Sequence, residues 1–297
     1  MSFIADEIAR QPGAWRRGVE IAAAEGNGLP RPGERVAVVG CGTSWFMAEA
    51  YAVLRERAGH GETDAFAASM FPHARGYHRL VAISRSGTTT EVVDLIERQQ
   101  GRIPTTALVA SASTPIAELA DFTIELPFAD ERSVVQTVFA TTALSVLRAS
   151  LGEPERALVR ALADQAESVL TELLPEEWLA AEQITFLGRD WAHGVAREAA
   201  LKMREATQSW TEAYPSMEYR HGPIAIAAPG RLVWHFGPDS EHLAADVAPT
   251  GALFVDHAED PQVDLIRVQR LAAARAALKG LDPDHPRSLT RSVVLNG

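Results

Sequence analysis

The chain has 297 residues, 46% of them hydrophobic, with 28 Lys and Arg against 39 Asp and Glu. That is enough apolar material for one large core or two ordinary ones, while the formal net charge of -11 argues against a general nucleic-acid binder, which needs clustered cations. A single cysteine, Cys41, excludes an intramolecular disulfide, no Cys/His spacing resembles a zinc site, and no run approaches the ~20 apolar residues of a membrane span.

Met1 to Arg10 mixes acidic and basic residues without the apolar stretch of a signal peptide, so a cytoplasmic location is expected. Val36-Ala37-Val38-Val39, Leu80 to Ile83, Thr105 to Val109 and Phe122 to Leu126 read as short strands, with a weaker one at Ala65 to Ala68. Helix-like stretches separate them, notably Trp45 to Arg57 and Val92 to Gln99. Strands alternating with helices predict a parallel sheet covered on both faces, with ligands at the carboxyl ends of the strands. Ser133 to Leu151 reads as a helix, Gly152-Glu153-Pro154 as a break, and Glu155 to Leu173 as another helix. The pattern then restarts, with a strand at Ile184 to Leu187, a helix from about Val195 to Trp210, and strands at Leu232 to Phe236 and Ala252 to Val255. The fold class is therefore α/β, in two similar units covering residues 1–154 and 155–297. The second is compressed, with little room for full helices between Arg231 and Asp264.

The first unit carries the clearest chemical signal. The strand at Leu80 breaks into Ser84-Arg85-Ser86-Gly87-Thr88-Thr89-Thr90, with two serines and three threonines in seven positions. A helix N-terminus offers unpaired N–H groups and the positive end of its dipole, which suits a phosphate. Helix capping alone explains one hydroxyl, and Gly87 leaves room for close approach. Gly40-Cys41-Gly42-Thr43-Ser44 begins like a dinucleotide fingerprint but lacks the third glycine, since position 45 is Trp. It reads either as a second substrate loop at the same sheet edge or as a tight strand-to-helix turn.

In the second unit Glu198, Lys202 and Glu205 share one helix face, a spacing usually found in solvated salt-bridge stripes, with Glu205 the candidate base. His221 sits in a Gly-Pro loop as a candidate proton carrier or a plain surface residue. The tail from His285 ends in the apolar Val293-Val294-Leu295, which suggests docking in place of a frayed end.

Together these segments resemble the sugar isomerase (SIS) family, most closely the isomerase part of glucosamine-6-phosphate synthase and related amino-sugar-phosphate deaminases and deglycases. The matching segments occur in order along nearly the whole chain: Glu7 to Pro12, Cys41 to Ser44, Ser84 to Thr89, Glu131 to Val135, Phe186 to Arg189, Glu198 to Glu205, Glu218 to Pro223 and Pro286 to Val293. The resemblance implies two tandem SIS domains, each a flavodoxin-like three-layer αβα sandwich, the second shortened. It implies that the hydroxyls of Ser84, Ser86 and Thr89 hold a phosphate with help from Arg85 and Gly87. Cys41, Gly42, Thr43, Ser44, Val134 and Arg291 become sugar contacts, Glu205 the proton-transfer carboxylate, and His221 a ring-opening group reaching in from the partner of a homodimer. No cofactor, metal, nucleic acid or membrane is implied.

Three departures stand out. Arg291 replaces the family's tail lysine, and a guanidinium cannot form an imine with a keto sugar. The sequence before the first SIS segment is too short for a glutaminase domain. Gln136-Thr137-Val138 stands where relatives often have a Ser-Thr-Lys type stretch. The expected activity is isomerisation or deamination of a 6-phosphorylated amino sugar, with glucosamine 6-phosphate to fructose 6-phosphate plus ammonia as the leading case. The alternatives are a fructosamine-6-phosphate deglycase, with Arg291 on the adduct's carboxylate, and a non-catalytic sugar-phosphate-binding regulator.

Overall fold

The computed structural model describes residues 2–295. The first unit runs α1 (Phe3–Ala24), β1 (Val36–Gly40), α2 (Thr43–Arg57), β2 (Thr63–Ala67), β3 (Arg79–Ser84), α3 (Thr90–Gln99), β4 (Thr105–Val109), α4 (Pro115–Leu119), β5 (Phe122–Glu125) and α5 (Val138–Ala149). It continues through α6 (Glu153–Val169) and α7 (Glu176–Ala180) to β6 (Gln183–Gly188), α8 (Ala192–Thr207), β7 (Thr211–Pro215), β8 (Arg231–Phe236), α9 (Leu243–Val247), β9 (Leu253–Asp256) and α10 (Pro261–Leu278). The strands form two parallel sheets, ordered β2-β1-β3-β4-β5 and β7-β6-β8-β9. The expected α/β class and paired three-layer architecture are what the chain adopts.

Period-2 alternation explains the layers. Val36, Val38, Val81, Ile83 and Leu108 face a core shared with α1, α2, α5 and α6, while Ala37, Val39, Leu80, Ala82 and Val109 face α3 and α4. Buried on both faces, β1, β3 and β4 read as continuous apolar runs, as central parallel strands do. In the second sheet Ile184, Phe186, Leu232 and Trp234 pack on α8 and α10. Its other face meets only a small cluster of Leu187, Val233, Tyr219, Leu243 and Val247. The second unit is thus shortened on one layer, where α9 stands for a full helix.

Several boundaries differ from expectation for identifiable reasons. The helix expected from Ser133 begins only at Val138, because the Glu131 carboxylate accepts from the backbone N–H groups of Thr137 (2.6 Å), Val138 (2.8 Å) and Phe139 (3.1 Å) and holds the preceding loop back. The next helix starts at Glu153, after Gly152 at φ 118°, and stops at Val169. Its apolar side, Val159, Leu162, Ala163 and Ala166, packs into the first core with α1. The helix expected to reach Trp210 ends at Thr207, where Gln208 is left-handed (φ 54°), and the chain turns into β7, a strand the pattern did not reveal. The helices α1 and α10 were likewise unread.

Polar pins tie the units together. Arg148 on α5 makes two 2.9 Å bonds to Asp260, which caps α10 by accepting from Gln262 N–H. Asp284 accepts from the first N–H groups of α1, Phe3 (2.7 Å) and Ile4 (2.9 Å), so the tail segment caps the opening helix. Between the halves, α2 packs directly against α8. A Cβ at Gly194 would stand 2.6 Å from the Phe46 carbonyl oxygen and 2.9 Å from the Ala50 nitrogen, both backbone atoms. Gly194→Ala must therefore push α8 off α2, and a loss of about 1–3 kcal/mol is expected from overpacking at a contact with no flexible partner. Urea unfolding checks this: an unchanged midpoint would show that the helices are not in close register.

Candidate active site

Both sheets reverse their strand order once, and in the first the reversal lies between β1 and β3. The loops that leave those two strands splay apart there, which is where ligands of open parallel sheets bind. A cleft of about 170 Å³ lies against these loops, lined by Cys41, Gly42, Thr43, Arg85, Thr89, Val134, Gln136, Lys202, Glu205 and tail residues Leu289 to Val293. Of the residues singled out in the sequence, it gathers Cys41, Gly42, Thr43, Arg85, Thr89, Val134, Glu205 and Arg291. Ser44, Ser84, Ser86, Gly87 and His221 do not line it.

The hydroxyl loop has a more specific arrangement than capping. Thr89 is the N-cap residue of α3, yet its side chain makes no capping bond, so its hydroxyl is free to face the cleft. Ser84 Oγ accepts from Gly87 N–H (3.2 Å) and shapes the turn. Gly87 has φ 66°, and a Cβ there would meet Thr114 at 2.2 Å, so only glycine fits. The hydroxyls of Ser86 and Thr88 meet the Ser292 hydroxyl of the tail at 3.1 and 2.9 Å. The tail is anchored beside them, since Thr90 N–H donates to the Val293 carbonyl (3.2 Å) and Leu295 N–H to the Thr90 hydroxyl (2.9 Å). It docks through its backbone: Val293, Val294 and Leu295 each remain more than half exposed, contrary to the expectation from their apolar character.

Arg85 does not reach out for a ligand. Its buried guanidinium donates to the carbonyls of Ser133 (2.8 Å), Val134 (3.2 Å) and Arg291 (3.3 Å), and stands 3.9 Å from Glu131. Burial pulls its pKa down, although Glu131 opposes this. Arg291 likewise turns its guanidinium to Asp130 and to the Glu131 carbonyl. An arginine committed to those partners is not placed to hold a substrate carboxylate, which corrects that part of the deglycase expectation. Burial, with Glu91 nearby, pushes the Cys41 thiol up to about 11, so it is a neutral wall of the cleft and not a thiolate nucleophile.

The charged chemistry comes from α8. The stripe of Glu198, Lys202 and Glu205 is buried and not solvated: the Lys202 side chain is 2% exposed, Glu198 1% and Glu205 18%. Lys202 Nζ bonds the Glu205 carboxylate and stands 3.7 Å from Glu198. Burial lowers the ammonium's pKa, but the two carboxylates more than offset it and hold Lys202 above its ordinary value. Burial pushes Glu198 up to about 8, with Lys202 pulling it down and Glu205 raising it further. Both Glu198 oxygens lack a close hydrogen-bond donor. Lys202 and Glu198 are therefore functional candidates that sequence reasoning passed over, although their spacing of three and four residues from each other and from Glu205 was the available signal. Gln136, noted in the sequence only as part of a departure from relatives, has its Oε1 buried without a partner at the cleft wall. His221 lies exposed at the end of the turn that follows β7.

No protein-family model matches the chain. Among sequence relatives, a glutamine–fructose-6-phosphate aminotransferase (isomerizing) of Sulfurisphaera tokodaii is 31% identical, over 88% of this chain and 50% of the relative. One of the same description from Gloeobacter violaceus is 27% identical over 99% of this chain and 58% of the relative. The chain thus spans about half the length of the curated relatives it matches. A solved structure described as glucosamine-6-phosphate deaminase from Thermotoga maritima superposes with a TM-score of 0.83 at 24% identity, over 99% of this chain and 100% of the other. These matches agree with the resemblance to the sugar isomerase family read from the sequence.

The acidic helix and the hydroxyl loop belong to different sheets, and the docking of α8 on α2 helps bring them to one cleft. The raised Glu198 has a sign that stability can read. Its folded pKa lies above the unfolded one, so between the ordinary value of 4.5 and about 8 the native state holds a proton that the unfolded chain has lost, and stability falls as pH rises through that window. Glu198→Gln should flatten this part of the melting-temperature profile and be the more stable form above it. A profile with the same slope in both proteins would show that Glu198 is ionised throughout.

Proposed function

We propose that this chain is a phosphosugar isomerase of the deaminating kind, which takes a 6-phosphorylated amino sugar, with glucosamine 6-phosphate as the leading substrate, to the ketose phosphate plus ammonia. The observation that carries the reading is one cleft lined by both the Thr89 hydroxyl at the N-terminus of α3 and the Glu205 carboxylate from α8. An N-terminal helix turn with free hydroxyls suits a phosphate dianion, and Ser292 in this structure already engages two of those hydroxyls through an oxygen. A phosphate oxygen would take over those donors. Holding this remote group supplies binding energy that orients the reacting carbons.

At the other end, Glu205 removes the C2 proton and returns it at C1 through an enolamine, and water then hydrolyses the ketimine to release ammonia. Lys202 holds Glu205 in place through its ammonium. Val134, Thr43 and Gly42 form the walls along the sugar, and the unpartnered Gln136 carbonyl oxygen offers an acceptor for a sugar hydroxyl. His221, exposed and away from the cleft of its own chain, is read as the ring-opening group of a second copy, so the working unit is a homodimer with shared sites.

A second reading has its own observation. Glu205 and Leu289 also line a neighbouring hollow of about 340 Å³ that adds Arg204, Gln208, Ser209 and Arg287. Two arginines beside the reacting carboxylate suit an adduct with an anionic group on the amine, as in a fructosamine 6-phosphate.

Purified protein should release ammonia from glucosamine 6-phosphate, and Glu205→Gln should abolish turnover while binding by calorimetry persists. Retained turnover in that variant refutes the assignment. Mixing inactive Glu205→Gln and His221→Asn subunits tests the sharing: one site of each mixed dimer regains both groups, so roughly a quarter of wild-type activity should return under a two-fold isologous arrangement. No recovery would mean that His221 serves its own chain's site, and a fully active His221→Asn would place it outside the reaction.

A further inference from the structure

The second sheet also reverses its strand order, between β6 and β8, and the corresponding crevice there carries no hydroxyl loop. It carries His235, at the end of β8, with Asp239 and Glu241 in the loop that follows. One donor atom from each of the three lies within 4.8 Å of the others. We propose that this trio binds a divalent cation of the borderline class that zinc represents.

The histidine is set for such a role. His235 is buried, and its Nδ1 lies 2.9 Å from the Gly237 carbonyl, which can only accept. Nδ1 therefore carries the proton, and Nε2 presents its lone pair, with the Ser216 hydroxyl at 2.9 Å and Glu241 Oε2 at 3.7 Å. Orientation of a ligand histidine by a backbone carbonyl on its other nitrogen is the usual second contact in metal sites. Glu241 is the independent sign. Its side chain is 5% exposed, and Oε2, directed at His235, has no hydrogen-bond donor. A buried carboxylate oxygen left bare is costly, and a cation beside it removes the cost. Asp239 completes the set while its oxygens accept from Leu243 N–H (2.8 Å) and Ala244 N–H (2.9 Å).

The surrounding charges are mixed. Asp256 accepts from Asp239 N–H, and Asp246 from Arg220 Nε; Arg220 also donates to the Glu241 carbonyl. Arg189 is the competing cation, 2.9 Å from Glu241 Oε1. Its side chain is 62% exposed, so it can withdraw into solvent at little cost when a metal arrives. One imidazole nitrogen with two carboxylates, and the Ser216 hydroxyl or water to finish the shell, suits zinc, cobalt or manganese better than a hard ion such as magnesium. Ser216 also opens the turn that ends at His221, so a bound cation would brace that turn from beneath.

Cobalt(II) and zinc titrations of the full chain test the proposal. The wild type should take up one equivalent, with a visible cobalt absorption band that zinc abolishes. His235→Gln and Glu241→Gln, shown folded by circular dichroism, should each weaken binding roughly tenfold or more. Arg189→Ala, which keeps all three donors and removes the competitor, should bind more tightly. The proposal is overturned by absence of stoichiometric uptake in the wild type, by unchanged affinity in the folded donor variants, or, if those variants do not fold, by an Arg189→Ala protein that binds no better than wild type. None of these readouts depends on turnover, so failure here leaves the reading of the first cleft standing.

Discussion

Burial of the Glu131 carboxylate beneath the loop of residues 131–137 is the constraint on which the cleft rests. That carboxylate accepts from the N–H groups of Thr137, Val138 and Phe139 and from the Thr137 hydroxyl, which starts α5 and fixes the loop before it. A second carboxylate, Glu7 of α1, accepts from Arg132 N–H (2.6 Å) and the Ser133 hydroxyl. Arg85 closes the loop from the opposite side through the Ser133 and Val134 carbonyls. Hydrogen bonds to charged groups contribute about 1.5–3 kcal/mol each, and removing one partner of a buried charge pair costs about 3–5 kcal/mol. A loop held by this many charged contacts is rigid, and it is this rigidity that sets the wall carrying Val134 and Gln136.

The same contacts join the hydroxyl loop, the 131–137 loop and the tail to one another. Arg85 lies in the hydroxyl loop, donates to the second loop and donates again to Arg291 of the tail. Asp284 carries the tie further, capping α1 with its carboxylate and accepting from Val134 N–H with its carbonyl (3.1 Å). Residues distant in sequence thus share one buried polar network. Such networks specify a geometry strongly when fully satisfied. Satisfaction is incomplete at Arg85 Nε, at Gln136 Oε1 and at the two Glu198 oxygens, and of these residues Arg85 and Gln136 line the cleft.

Much of this was legible in the sequence, and the boundary of legibility is physical. Strands β1, β3, β4, β6 and β8 announced themselves because central parallel strands are continuous apolar runs. β7 did not, because it is an edge strand, Thr211 to Pro215, only partly buried, and it follows a helix whose end is set by a left-handed Gln208 that no residue type required. The onset of α5 at Val138 was hidden because its cap, Glu131, is seven residues upstream and acts through the fold. The Glu205 position was recoverable only through resemblance. Spacing alone grouped it with Glu198 and Lys202, and whether such a stripe is wet or dry depends on what α8 packs against. Lys202 is buried on a helix that Gly194 lets come within backbone contact of α2, and how closely two helices pack is a tertiary fact.

Those same considerations decide what the replacement of the family's tail lysine by Arg291 does to the cleft. A lysine in that position would bring a compact, freely rotating ammonium to the ligand, able to lose its proton. The guanidinium instead donates to Asp130 and the Glu131 carbonyl. It therefore tightens the seam between the tail and the 131–137 loop and contributes little to the reacting end of the cleft. With Arg85 also turned to carbonyls, Lys202 is the ammonium left at the cleft wall, and it is held between Glu198 and Glu205. The cation that meets Glu205 thus comes from α8 itself, a lysine whose own charge the two acids secure.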